Sequence, residues 1–163
     1  MARRVFFSFH YKPDCWRASQ VRNAGVVEGN TPVSDNDWET VTKKGDAAIK
    51  KWIDEQMSGR SCAVVLIGTN TSGRPWVKYE IEKAWRDGKG VLGIYVHNLK
   101  NQGGDQCTKG SSPFWGLTVD GKSLYSLVPV YDPPYSTSTY VYDHIKDNLA
   151  SWVENAITVR NDN

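Results

Sequence analysis

Glu80 is the residue whose surroundings most suggest chemistry. Trp76 precedes it by four positions and Ala84 follows it by four. On a helix such positions are surface neighbours, so the carboxyl sits on the flank of an apolar stripe, against an indole. Glu82 differs: its i−4 and i+4 neighbours are Lys78 and Arg86, an ordinary solvated charge ladder. Lys83 is the only basic residue close to Glu80 along the helix. A carboxyl held against apolar surface loses hydration and takes a raised pKa, and such groups beside a cleft are candidates for catalysis. The bland alternative is a boundary glutamate bonded to a neighbouring loop. Upstream, Thr69-Asn70-Thr71-Ser72-Gly73-Arg74 leads into a helix start, where free N–H groups suit an anion and Arg74 adds a bidentate donor. Seven Trp and eight Tyr make either an aromatic core or a stacking surface for a flat heteroaromatic ring.

The elements that must position these residues follow from hydrophobic pattern. Residues 5–9, 62–67, 91–96 and 127–131 are continuous apolar runs rich in β-branched or aromatic residues. Such runs suit strands buried on both faces of a parallel sheet, and residues 26–28 make a weaker edge strand. Residues 46–57 carry Ile49, Trp52, Ile53 and Met57 at helical spacing, and residues 75–87 carry Val77, Ile81, Ala84 and Trp85. Pro75 suits a first helical turn and Gly88 a stop. Residues 137–157 repeat the pattern, and residues 13–24 are helical by position with a weak stripe. Alternating strands and helices predict an α/β, flavodoxin-like three-layer fold of strand order 2-1-3-4-5, with residues 1–163 as a single domain. Ligands of such sheets sit beyond the carboxyl ends of the strands at the switch point. Here that lies between His10-Tyr11-Lys12-Pro13 and the loop of Asn70 and Arg74. The polar stretches 29–45 and 98–122 are long for loops of a compact domain, and the first is the lid candidate, with Asp37 and Trp38 near its centre.

Composition removes several functions. A formal net charge of +2 without a dense basic stripe argues against nucleic-acid binding. No run approaches the ~20 apolar residues of a membrane span, and the apolar stretch near the start is too short for a signal-peptide core. The expected location is the cytosol. Cys15, Cys62 and Cys107 lack metal spacing and read as reduced thiols, Cys62 in a buried strand. His10 and His97 both end strands, but no third metal ligand is spaced to join them. The dinucleotide fingerprint, P-loop and nucleophile elbow are all missing.

The segments R-R-V-F-F-S-F-H-Y, W-I-D-E-Q ahead of S-C-A-V-V-L-I-G-T-N-T, and R-P-W-V-K-Y-E-I-E-K-A-W-R-D-G-K-G-V-L-G-I-Y-V-H occur in this order between Arg3 and His97. Together they resemble the bacterial TIR-like family, and within it the TIR proteins of Thoeris antiphage defence systems. The resemblance implies a flavodoxin-like fold and cleavage of the nicotinamide–ribose bond of NAD, with Glu80 as the catalytic residue. It implies a cyclic ADP-ribose isomer as product, acting on a separate effector protein. It also implies that Phe9, His10 and Tyr11 line the pocket. NAD is then substrate, and no cofactor is called for. Nicotinamide leaves neutral from a cationic ring, so one carboxylate facing an oxocarbenium-like ribose suffices. Trp76, Phe9 or Tyr11 would stack on a ring, and Arg74 would hold the diphosphate. The stretch 29–45 and the chain from Asn98 depart from the family pattern. Two other functions fit the same residues: a non-catalytic TIR-like module working by homotypic or partner contacts, which leaves room for a homo-oligomer, and a nucleoside deoxyribosyltransferase-like enzyme exchanging free bases.

Overall fold

The computed structural model describes residues 2–30 and 45–163. Five parallel strands form the central sheet: β1 (Arg4–Ser8), β2 (Glu28–Gly29), β3 (Cys62–Ile67), β4 (Gly90–Tyr95) and β7 (Val130–Tyr131). Their order is β2-β1-β3-β4-β7. A two-stranded ribbon, β5 (Thr118–Val119) and β6 (Lys122–Ser123), intervenes in the chain. The expected fifth strand is therefore the seventh in chain order, and a small second sheet separates it from β4.

Every residue of β3 is buried, which explains its unbroken apolar sequence: it is central and covered on both faces. Alternation then divides the core. Val5, Phe7, Val64, Leu66, Leu92 and Ile94 face α1 (Tyr11–Asn23) and α5 (Ser138–Asn161). Phe6, Ala63, Val65, Ile67 and Val91 face α2 (Asp46–Met57) and α3 (Pro75–Arg86). Pro75 opens α3, and Gly88 follows it at φ 78°, the left-handed stop a glycine permits.

Several boundaries differ from the pattern-based expectation. Phe9 and His10 leave the sheet and lead into α1, which begins before Pro13 because proline is tolerated in a first helical turn. Leu127 closes the short helix α4 (Leu124–Leu127) and is not in a strand; Pro129 follows, and only Val130 and Tyr131 pair with β4. The stretch from Asn98, expected as loop, contains the β5–β6 hairpin. Its turn is Asp120–Gly121, both at positive φ, the conformation of a two-residue hairpin loop.

The rest of that stretch lies over the carboxyl end of β3. Thr69 Oγ1 donates to Thr108 O at 2.6 Å, and a Cβ on Gly110 would collide with the backbone oxygens of Gly68 and Thr69. Gly110→Ala is expected to cost about 1–3 kcal/mol, because the obstacle is backbone and cannot rotate away. Chemical denaturation measures this, and unchanged stability would show that the loop is not held there. No helix among the described residues is long and apolar enough to cross a membrane.

Candidate active site

The topological switch point of the sheet carries a cleft. β1 ends at Ser8, and Phe9, His10, Tyr11 and Lys12 run along one side. Arg74, Trp76, Val77 and Glu80 come from the start of α3 on the other. Phe6, Phe7, Asn30 and Trp52 also line it. The cleft encloses about 140 Å³. An apolar cavity of ~150 Å³ holds one benzene, so this space suits a single six-membered ring.

Glu80 lies at 8% exposure, and its Oε2 is buried without a hydrogen-bond partner. Burial pushes its carboxyl up to about 8, opposed only by the nearby Ser8 hydroxyl, which favours the charged form. Ser8 Oγ is itself buried and makes no hydrogen bond of ordinary geometry. Buried polar atoms without partners are uncommon, and their clustering beside a cleft marks a site held ready for a ligand. Sequence spacing placed Glu80 on the flank of the stripe; the fold buries it. The neighbouring charges resolve elsewhere: Glu82 pairs with Arg86 at 3.6 Å, and Lys83 with Asp87 at 2.7 Å. Glu80 is thus the only acid among the described residues of the cleft.

Burial lowers the His10 pKa, and Arg74 lowers it further, against the opposing charge of Asp14. Its Nδ1 is buried and unpartnered. Phe9 and Tyr11 stack at 6.1 Å between centroids, and Trp76 meets Tyr79 edge-on at 5.7 Å. Arg74 is exposed at the rim, as is Lys12. The fold therefore brings Phe9, His10, Tyr11, Arg74, Trp76 and Glu80 together. Asn70 is not among them: it caps the short 3-10 turn Thr71–Gly73 and is exposed outside the cleft lining. Asp37 and Trp38 lie outside the described residues.

Lys12, Asn30 and Trp52 were not singled out by sequence reasoning. Lys12 stands in the loop that was, between Tyr11 and Pro13. Trp52 reads as part of the apolar stripe of α2 but is only half-buried, with one face on the cleft. Asn30 follows a two-residue strand and has no local signal.

A parallel sheet of this order, with a buried glutamate on the helix after the third strand and the cleft at the β1–β3 switch point, defines a TIR-like domain. The family model described as "Thoeris protein ThsB, TIR-like domain" matches residues 6–101, and the chain belongs to this family. A curated relative from Bacillus cereus (strain MSX-D12), named "Putative cyclic ADP-D-ribose synthase ThsB1", is 37% identical over 134 residues, covering 77% of this chain and 70% of that protein.

Proposed function

We propose that this chain breaks the nicotinamide–ribose bond of NAD and closes the ADP-ribose part into a cyclic isomer, an antiphage signal read by a separate effector. One observation carries the reading: a buried carboxyl, the only one among the described residues of an aromatic cleft the size of one ring. The C1′–N1 bond breaks with both electrons moving to the ring nitrogen, so nicotinamide departs neutral and positive charge develops on the ribose. Glu80, ionised, faces that charge in a low-dielectric setting where the interaction is strong. Phe9, Trp52 and Trp76 hold the ring and exclude water, while Arg74 and Lys12 at the rim face the diphosphate. A nucleophile of the same molecule then captures the cation and loses its proton; capture by water would instead give linear ADP-ribose. No cofactor is required, because the leaving group needs no acid and the electron count closes within the substrate. The relative's printed name supports the cyclic product. The work is placed in the cytoplasm, where NAD is found.

Purified protein with NAD, and extracts of phage-challenged cells carrying it, are expected to yield nicotinamide and a cyclic ADP-ribose isomer by chromatography with mass detection. Base exchange between free nucleosides with NAD untouched would instead favour the deoxyribosyltransferase-like reading. Neither reaction would leave a non-catalytic module. The pH profile adds a second test. With the free carboxyl at about 8, kcat/KM is expected to rise with pH and level off above that value. The kcat profile is expected to turn at lower pH, because the cationic ring beside Glu80 favours its charged form. A kcat/KM flat between about pH 6 and 9 contradicts an ionised Glu80 as the working group.

A further inference from the structure

β2 has only two residues, so the ladder along that edge of β1 runs out at Gly29. The Asn30 side chain continues it: Oδ1 accepts the Phe7 backbone N–H at 2.8 Å. An NH2 group cannot accept a hydrogen bond, so this contact fixes which end of the amide is oxygen. The oxygen is committed to the sheet, and the Nδ2 end is left as a donor. Among the described residues no acceptor takes up Nδ2. Asn30 is 4% exposed and lines the same cleft as Glu80. A buried side-chain amide with one end tied to backbone is an oriented reader of polar groups, because its rotamer is already fixed.

The cleft sets three conditions on its occupant. It is one flat ring in size, with aromatic side chains in its walls. The carboxyl of Glu80 beside it suits a ring that carries positive charge. The Asn30 donor suits an acceptor on the ring's substituent. We propose that Asn30 reads the carboxamide of the pyridinium ring, its side-chain NH2 donating to the carboxamide oxygen. The inference rests on the NAD-cleaving reading and assigns the group that chooses the leaving base.

The test compares NAD with its thionicotinamide analogue, whose sulfur is a weak acceptor. Wild-type protein is expected to prefer NAD by about 10-fold in kcat/KM, the size of one hydrogen bond. Asn30→Asp keeps an oxygen for the Phe7 N–H but puts an acceptor where the donor stood. It is expected to lower kcat/KM for NAD by about 10-fold or more, mainly through KM, and to bring the preference towards one. A wild type that cleaves both dinucleotides equally well overturns the inference and leaves NAD cleavage standing. So does a folded Asn30→Asp with the preference unchanged. A wild type that cleaves neither overturns both readings. Should the variant fail to fold, the wild-type preference decides.

Discussion

Glu80→Gln is expected to abolish NAD turnover while making the folded protein more stable. Gln keeps the shape of the side chain and cannot ionise, so the charge facing the developing oxocarbenium is lost. Removing one preorganised electrostatic contact costs 10²–10³ in rate, and the carboxyl that faces the reacting ribose should cost on the order of 10³-fold or more. The stability effect follows from linkage. The carboxyl's ordinary value is 4.5, and burial raises it to about 8 in the folded protein. Between those values the folded state keeps a proton that the unfolded chain has released, so stability falls as pH rises, by up to about 1.4 kcal/mol per pH unit. Above the folded value the cost is complete. Gln carries no such slope. Wild type and variant should therefore have similar stability near pH 4 and differ by on the order of 3 kcal/mol at pH 7, the variant being the more stable. Urea titrations of both proteins across this range measure it. Parallel stability curves would mean that the carboxyl is solvated, and undiminished turnover in the variant would remove Glu80 from the chemistry. Lost activity with gained stability is the trade expected of a site that holds a group against its solvation preference.

Arg17→Ala is expected to be among the most destabilising single changes, although Arg17 is outside the cleft. Arg17 and Asp14 form an ion pair at 2.9 Å with side chains only 3% and 2% exposed. The guanidinium also donates to Leu99 O at 2.7 Å, Asp105 O at 2.8 Å and Pro13 O at 3.1 Å. Burial raises the Asp14 pKa and Arg17 opposes it, so desolvation is the larger influence on this carboxyl. Removing the cation leaves Asp14 buried and unpaired and three carbonyls without their donor. Breaking a buried pair in this way costs about 3–5 kcal/mol. At ~2–4 °C per kcal/mol for a chain of this size, the melting temperature should fall by roughly 6–20 °C. The double variant Asp14→Asn, Arg17→Met removes both charges and should recover a large part of the loss, since the pair itself is not a net source of stability. A melt unchanged in Arg17→Ala would show that the 98–112 stretch does not depend on this anchor.

How much of this could be read from the chain differs by element. Strands β3 and β4 and helices α2 and α3 are legible because each buries a face whose residues recur at the period of its own backbone. The Asp120–Gly121 hairpin was also present as a signal, hidden within a stretch that otherwise lacks pattern. Helix α1 is faint for a physical reason: its buried face includes Asp14 and Arg17, paired with each other, and Arg17 reaches loop carbonyls rather than apolar side chains. No periodicity rule anticipates a polar face satisfied by carbonyls about 80 positions away along the chain.

The amino-acid order alone determined the parallel α/β architecture, the helix that carries Glu80, the indole beside it and the two loops that meet at the switch point. All of these depend on contacts within a few residues or on continuous apolar runs. Tertiary structure decided how deeply Glu80 is desolvated, that Ser8 faces it, and that Asn30 and Trp52 share its cleft while Asn70 does not. Those facts depend on which strand edges and helix faces converge, and solvent exclusion belongs to the assembled layers rather than to any one segment. A carboxyl's charge preference is set by the medium around it, and that medium exists only once the sheet and helices have closed.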